Sequence, residues 1–477
     1  LIEKWYNKSM MKKLSRREFL SKSGMAAIGL LTFQPHLSGY DSVSNLQQVN
    51  PDIGYGPLIE DPQKKMDLPE GFSYKIISRS GERMTDGFYM PARPDGMGAF
   101  AGPDGLTIIL RNHENFPEHP PQFGPFGPSN ELRRRISGRL IYDRGRERGP
   151  ALGAVTTLVY DTKAQELKRQ FLSLAGTLVN CSGGVTPWNS WLSCEEIFQN
   201  PSFALTKKHG YIFEIPASAE QKIVKPVPLK AMGRFVHEAV AVDHGTNIIY
   251  QTEDQLDGLV YRFFPNRPGH LEEGGRLQCL SINSRPQMDT RNWDELRVKK
   301  GDTLPVRWLD LEDVDPKKDN LRMQGFEKGA ALFASGEGMD FVDGTVYFDC
   351  TNGGPIKAGQ VWRYTPSPYE GTEREAESPG QLELLVQVTD RAVLENPDQL
   401  IGTQWGDIFV CEDGFGDQYL VGLTPKGEIY RFAHNALDES EFTGVCFSPD
   451  GSTMFVNYQG AGLTFAVTGP WKSKAGN

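Results

Sequence analysis

Cys181, Glu238, Glu337, Asp398 and Glu441 each open a short apolar run, with Asp95 as an earlier member of the series. Fifteen or sixteen residues after four of these comes a second acid or amide: Glu196, Asp254, Asn352 and Asp413. Three of that second set have another acid directly in front: Glu195, Glu253 and Glu412. If these groups meet at one place, like-charge repulsion raises their pKa values, and bound cations are the natural relief. Oxygen-rich rings suit calcium and other hard cations. A single thiolate among carboxylates, Cys181, points instead to a transition metal such as iron. With only 8 histidines in the chain, a zinc site built on imidazoles is not expected.

A repeat supplies the element that gathers them. One unit reads: polar residue, apolar strand, tight turn, apolar strand ending in acid or amide, loop, outer strand. The second strands include Trp191–Glu196, Ile249–Asp254, Tyr347–Asn352 and Ile408–Asp413, with Ile109–Glu114 and Met454–Gln459 resembling them. The outer strand follows a pattern of Gly-x-apolar-aromatic-x-apolar, beginning at Gly210, Gly258, Gly359 and Gly427, with a looser copy at Ala154–Asp161. Period-2 alternation rich in β-branched and aromatic residues is a strand signal. Such recurring units predict an all-β chain folded as a single β-propeller of about six blades, with irregular insertions at 115–150 and 264–330. High Gly (51) and Pro (32) counts suit that turn-rich class. In a propeller the innermost strands line the axis, so their first residues collect in a ring at one mouth.

Several stretches resemble the PhoX-type alkaline phosphatases. They are Asn180–Glu196, Gly233–Val242, Glu441–Asn457, Asn112-His-Glu114 and Cys411-Glu-Asp-Gly414. The resemblance spans about 65–471. It implies an exported propeller that hydrolyses small-molecule phosphate monoesters at an iron–calcium (Fe3+, Ca2+) centre. Carried over residue by residue, it implies Cys181, Glu238 and Glu337 as the catalytic iron ligands. Calcium ligands would include Glu196, Glu412 or Asp413, and Glu441, with Asn396 and Asp398 as further members. No serine or histidine nucleophile is needed, and Ser182 is read as structural. One departure stands out: where family members commonly carry a phosphate-holding arginine two residues before the third of these acids, this chain has Ser335. A bidentate guanidinium is not readily replaced, so Arg111, Arg234 or Lys357 would have to compensate.

The segment Lys12-Lys13-Leu14-Ser15-Arg16-Arg17-Glu18-Phe19-Leu20, followed by an apolar run from Met25 to Leu31, reads as a twin-arginine export signal, with Met10 or Met11 as the start. The run is too short to span a bilayer, and no cysteine follows it to carry a lipid. The expectation is therefore a periplasmic or extracellular monomer without a stable membrane anchor, whose one macromolecular partner is the twin-arginine machinery. The domains read as leader 1–40, linker 41–64, propeller 65–471 and tail 472–477. A formal charge of −10 argues against nucleic acid as a partner. The Arg133-Arg134-Arg135 run reads as a solvated loop face. Six widely spaced cysteines without CxxC suggest disulfides in an exported chain, but Cys194, Cys350, Cys411 and Cys446 lie inside apolar strand-like runs and read as buried free thiols. Two other functions fit the same pattern: a calcium-stabilised propeller without chemistry, and a metal hydrolase of another class, lactonase- or phosphotriesterase-like.

Overall fold

The structure is a computed structural model that describes residues 49–50, 53–147 and 149–472. The leader motif lies outside the described residues. Six antiparallel units follow one another. Their innermost strands are Pro94–Ala101, Asn180–Val185, His237–Val242, Gly336–Val342, Pro397–Gly402 and Phe442–Phe447. Each of these packs beside the next, and the sixth packs beside the first, which closes the ring of a six-bladed propeller. The second strands are Leu106–His113, Ser190–Glu195, Ile249–Glu253, Thr345–Cys350, Ile408–Glu412 and Thr453–Tyr458. They are buried along nearly their whole length, because each is covered on both faces by neighbouring blades. That is why they read as continuous apolar runs rather than as strict alternation. The ring is sealed in sequence as well as in space: Ser73–Arg79 forms the outer strand of the sixth blade, paired with Leu463–Thr468.

The insertions add edges rather than blades. From 264–330 comes the strand Thr303–Asp310, which pairs with Gly275–Ile282 of the third blade and with Gln381–Gln387 of the fourth. The short helix Leu321–Lys328 follows it. In the fifth blade the Gly427 copy of the outer-strand pattern is the fourth strand, Ile429–Asn435, because Tyr419–Leu423 intervenes as the third. Met66–Pro69 then extends that sheet, and Leu58–Ile59, within the stretch read as linker, extends it further.

Every innermost strand carries a β-bulge just after its first residue or two. The register slips between Pro94 and Met97, Asn180 and Gly183, His237 and Val240, Gly336 and Met339, Pro397 and Gln399, and Thr443 and Cys446. A bulge bends the strand and re-aims one side chain. The axis is also too narrow for side chains next to some of these bulges. A Cβ on Gly338 would sit 2.4 Å from the Leu400 nitrogen, and one on Gly96 would sit 2.7 Å from the Ser182 Cα. All six cysteines are buried free thiols.

Candidate metal centre

The residue at each bulge is Asp95, Cys181, Glu238, Glu337, Asp398 and, in the sixth blade, Gly444, which follows the paired Thr443. Thr443 Oγ1 donates to the Pro94 carbonyl at 2.9 Å. Glu441 is therefore not the sixth member of the ring by register. It lies three residues upstream, yet it still reaches the site.

At the ends of the second strands, strand alternation separates neighbouring acids. Glu195 turns back into its own blade, accepting from the Gly210 and Tyr211 N–H groups at 2.9 and 3.2 Å. Glu253 likewise accepts from Tyr261 Oη at 2.7 Å and the Leu259 N–H at 3.2 Å. Glu412 accepts from the Glu395 and Tyr419 N–H groups at 2.8 and 3.1 Å. Burial pushes Glu253 and Glu412 up to about 8. Of the pair Glu412 and Asp413, it is Asp413 that joins a cluster with the axial acids, while Glu412 serves its own loop.

Three groups of candidate ligand atoms form at this mouth, each with its atoms within 4.8 Å of one another. They are Glu114–Cys181–Glu196, Glu238–Glu337–Asp398 and Asp398–Asp413–Glu441. Asp398 is shared by two of them. The third member of the first group, Glu114, was absent from the ligands expected from sequence. Its signal was available: it ends the second strand of the first blade, the position Glu196 and Asp413 hold in theirs.

The electrostatics report the crowding. Burial, then Glu114 and Asp398, lift Asp95 well above the usual carboxylate range. Glu441 is lifted by burial and then by Asp413, Asp398, Asp95 and Glu114. Asp95 is held by Gln399 Nε2 and, at 2.5 Å, by Gln459 Nε2. Arg93 donates to Glu114 Oε2 at 2.5 Å. Burial opposes its charge, but Glu114, Glu441 and Asp95 outweigh that and raise its pKa. One guanidinium against this many acids leaves charge unbalanced. The buried Oε1 of Glu114 and Oε2 of Glu441 have no hydrogen-bond partner, and buried polar atoms without partners call for an explanation. Carboxylates with orphaned oxygens, joined by one thiol, are a donor set that fits hard cations together with a transition metal. Among the described residues no histidine joins a cluster. His113 bonds Thr156 and the Ala92 carbonyl, and His237 bonds the Gly233 carbonyl.

A second layer fixes the ligands. Asn112 Nδ2 donates to the carbonyls of Cys181 and Ser182 at 3.0 and 2.7 Å, and its Oδ1 accepts from Trp191 Nε1 at 2.9 Å. Behind Glu196, the fully buried His209 donates to Glu195 at 2.6 Å and faces Asp143 at 3.3 Å. Burial works against a charged ring there, but Glu195 and Asp143 outweigh it and hold its pKa at about 9.

Two of the arginines expected to compensate for Ser335 are committed elsewhere. Arg111 is 1% exposed and bonds Thr464, Thr156 and the Met90 sulfur. Arg234 is fully buried and donates to the carbonyls of His209, Pro316 and Gln199. Lys357 is exposed, its Nζ 4.5 Å from the Trp293 ring centre. Trp293 Nε1 donates to the Asn352 carbonyl, and Asn352 Nδ2 donates to Ser335 Oγ at 3.0 Å, so this lysine borders the blade that carries Glu337. Asn396, a further expected member, donates to the Thr351 carbonyl at 2.8 Å.

The chain matches the family model described as alkaline phosphatase PhoX over residues 53–122 and 126–462. No curated protein matches it. Among solved structures, a gluconolactonase from Xanthomonas campestris is 12% identical with a TM-score of 0.40, over 88% of this chain and 99% of that one. The PQQ domain of a pyranose dehydrogenase from Coprinopsis cinerea is 11% identical with a TM-score of 0.30, over 85% and 98%. Neither likeness bears on the chemistry of the site.

Proposed function

The chain belongs to the PhoX alkaline phosphatase family, whose members are phosphomonoester hydrolases, and from that premise we propose an exported enzyme working at an iron–calcium centre in the propeller mouth. The carrying observation is the sharing of Asp398 between two acid clusters, with the thiol-bearing cluster Glu114–Cys181–Glu196 at the same mouth. In this reading Cys181, Glu238 and Glu337 hold iron. Glu196, Asp398, Asp413 and Glu441 hold calcium, and Glu114 completes the set. Bound cations of this kind neutralise charge on the phosphoryl oxygens and activate an oxygen nucleophile.

The protein's own part is positioning and charge. The bulges aim the axial residues, and Asn112 fixes the backbone at Cys181. Gln399 and Gln459 orient Asp95. Arg93 balances Glu114 and adds a donor toward the mouth. Lys357 takes the place of the missing guanidinium as the cation facing the substrate phosphate, a point charge rather than a fork. Export by the twin-arginine pathway rests on the Lys12–Leu31 motif alone and would deliver the folded, loaded protein to the periplasm or beyond.

The test is metal analysis of the purified protein paired with hydrolysis of p-nitrophenyl phosphate, with and without chelator. Iron and calcium together with chelator-sensitive turnover is the expected result. Folded, metal-loaded protein without turnover on any phosphomonoester would overturn the catalytic reading.

A further inference from the structure

Beside the first cluster lies a cavity of about 360 Å³ that the reading above does not use. Its walls include Pro117, Glu118, His119, Leu152, Leu178 and Leu205. Leu178 is fully buried, and Leu152 and Leu205 are 7% and 5% exposed. The cavity is tied to the site by short links. The Leu178 N–H donates to Glu195 Oε1 at 3.0 Å. The Val179 N–H donates to the Asn115 carbonyl, and the Glu196 N–H to the Val179 carbonyl, at 3.1 and 2.8 Å. The wall is thus one peptide from the residues that precede Cys181 and follow Glu114. His119 packs against Phe116 and Phe123, ring centres 5.5 and 4.7 Å away, and lies within electrostatic reach of Glu114 and Arg93.

Volume and lining decide what fits. A cavity of this size falls in the range that receives small organic groups, and such sites are mostly apolar with a few polar atoms to orient the ligand. Among the described residues, the walls carry one carboxylate, Glu118, and no lysine or arginine, so a second phosphate or an anionic sugar is repelled rather than held there. An aromatic or alkyl group gains by leaving water. We infer that this cavity is a leaving-group subsite that seats the apolar, aryl portion of a phosphomonoester while its phosphate faces the Glu114–Cys181–Glu196 cluster. The inference rests on the phosphatase reading for its substrate. It turns a general hydrolase into one that prefers aryl over small alkyl phosphates.

The test compares kcat/KM for 1-naphthyl phosphate and ethyl phosphate in the metal-loaded full chain and in two cavity-filling variants. Ala204→Phe enters from a half-buried loop position and carries little folding risk, and Leu205→Trp fills the wall directly. Taking the ratio between wild type and variant cancels the intrinsic reactivity of the two esters. A fall of about tenfold or more in the naphthyl-to-ethyl ratio is expected, in line with what one misfitted group costs in an apolar pocket. An unchanged ratio in a folded Ala204→Phe protein overturns the inference. If the wild type hydrolyses neither ester, the phosphatase reading fails and the cavity is judged by 1-naphthol fluorescence instead. Saturable binding lost in Ala204→Phe then upholds an apolar subsite, and no saturable binding to the wild type refutes it.

Discussion

Asp398→Asn should stabilise the protein when metals are absent and destabilise it when they are present. Asp398 has ligand atoms within 4.8 Å of Glu238 and Glu337 in one cluster and of Asp413 and Glu441 in the other. Two unit charges at that distance repel by about 3.5 kcal/mol at an effective dielectric of ~20, and four such neighbours would repel far more than any folded protein tolerates. Protonation caps the cost. At pH 8, holding an aspartate neutral against its ordinary pKa near 3.9 costs about 6 kcal/mol. The metal-free gain from the neutral amide is therefore some fraction of ~6 kcal/mol, on the order of 2–4 kcal/mol once neighbours share the protonation. In the loaded protein the same change removes a charged donor from two sites at once, and the loss should be of similar size and opposite sign. Urea unfolding at pH 8 of wild type and variant, in chelator and after saturation with iron and calcium, reads both signs. Destabilisation in chelator would refute the crowding argument. No loss in the loaded protein would remove Asp398 from the ligand set.

Other outcomes follow from the same geometry. The folded-state pKa of His209, about 9, lies above its ordinary 6.5, so its ion pairs with Glu195 and Asp143 contribute fully below pH ~6.5 and fade as pH rises through 9. The contribution is about 3 kcal/mol, and the stability gap between wild type and His209→Gln should shrink by that much between pH 6 and 9.5, measured by urea unfolding. A gap independent of pH would mean a neutral ring. Ser335→Arg should raise kcat/KM for p-nitrophenyl phosphate by about 10- to 100-fold, the worth of one charge-assisted contact; a folded variant without gain refutes a missing guanidinium as the limit on turnover. Changing Arg16 and Arg17 together to lysine should leave the full-length protein in the cytoplasm, as fractionation would read, whereas unaltered export would discard the twin-arginine assignment.

The blades were legible because each carries the same cycle of polar start, apolar run, turn and acidic end, and that cycle survives insertions. What sequence could not supply was the role of individual acids within the cycle. Glu412 and Asp413 are adjacent and chemically alike, and only the parity of the second strand decides that Asp413 faces the axis while Glu412 caps its own loop. The first strands add a harder problem. A bulge inserts one residue and flips the parity of everything on one side of it, so the faces of Asp95, Cys181 or Glu238 cannot be inferred from alternation beyond the bulge. Nothing in Glu441-Phe442-Thr443-Gly444 marks Gly444 rather than Glu441 as the ring member. That position is a glycine for the reason that Gly338 follows Glu337 and Gly96 follows Asp95: the next blade approaches too closely for a Cβ, which is visible only in three dimensions. Glu114 escaped for a related reason. Its blade has a long insertion after the acid, so its distance to the outer strand matches no other blade, although its place at the strand end is the same. The lesson is local: where a repeat ends in paired acids, the one that accepts backbone N–H groups of its own blade is committed there, and its neighbour, on the other side of the strand, is the one to look for among the ligands. Here Glu195 and Glu412 accept such N–H groups, whereas the ligand atoms of Glu196 and Asp413 lie within 4.8 Å of the other members of their clusters.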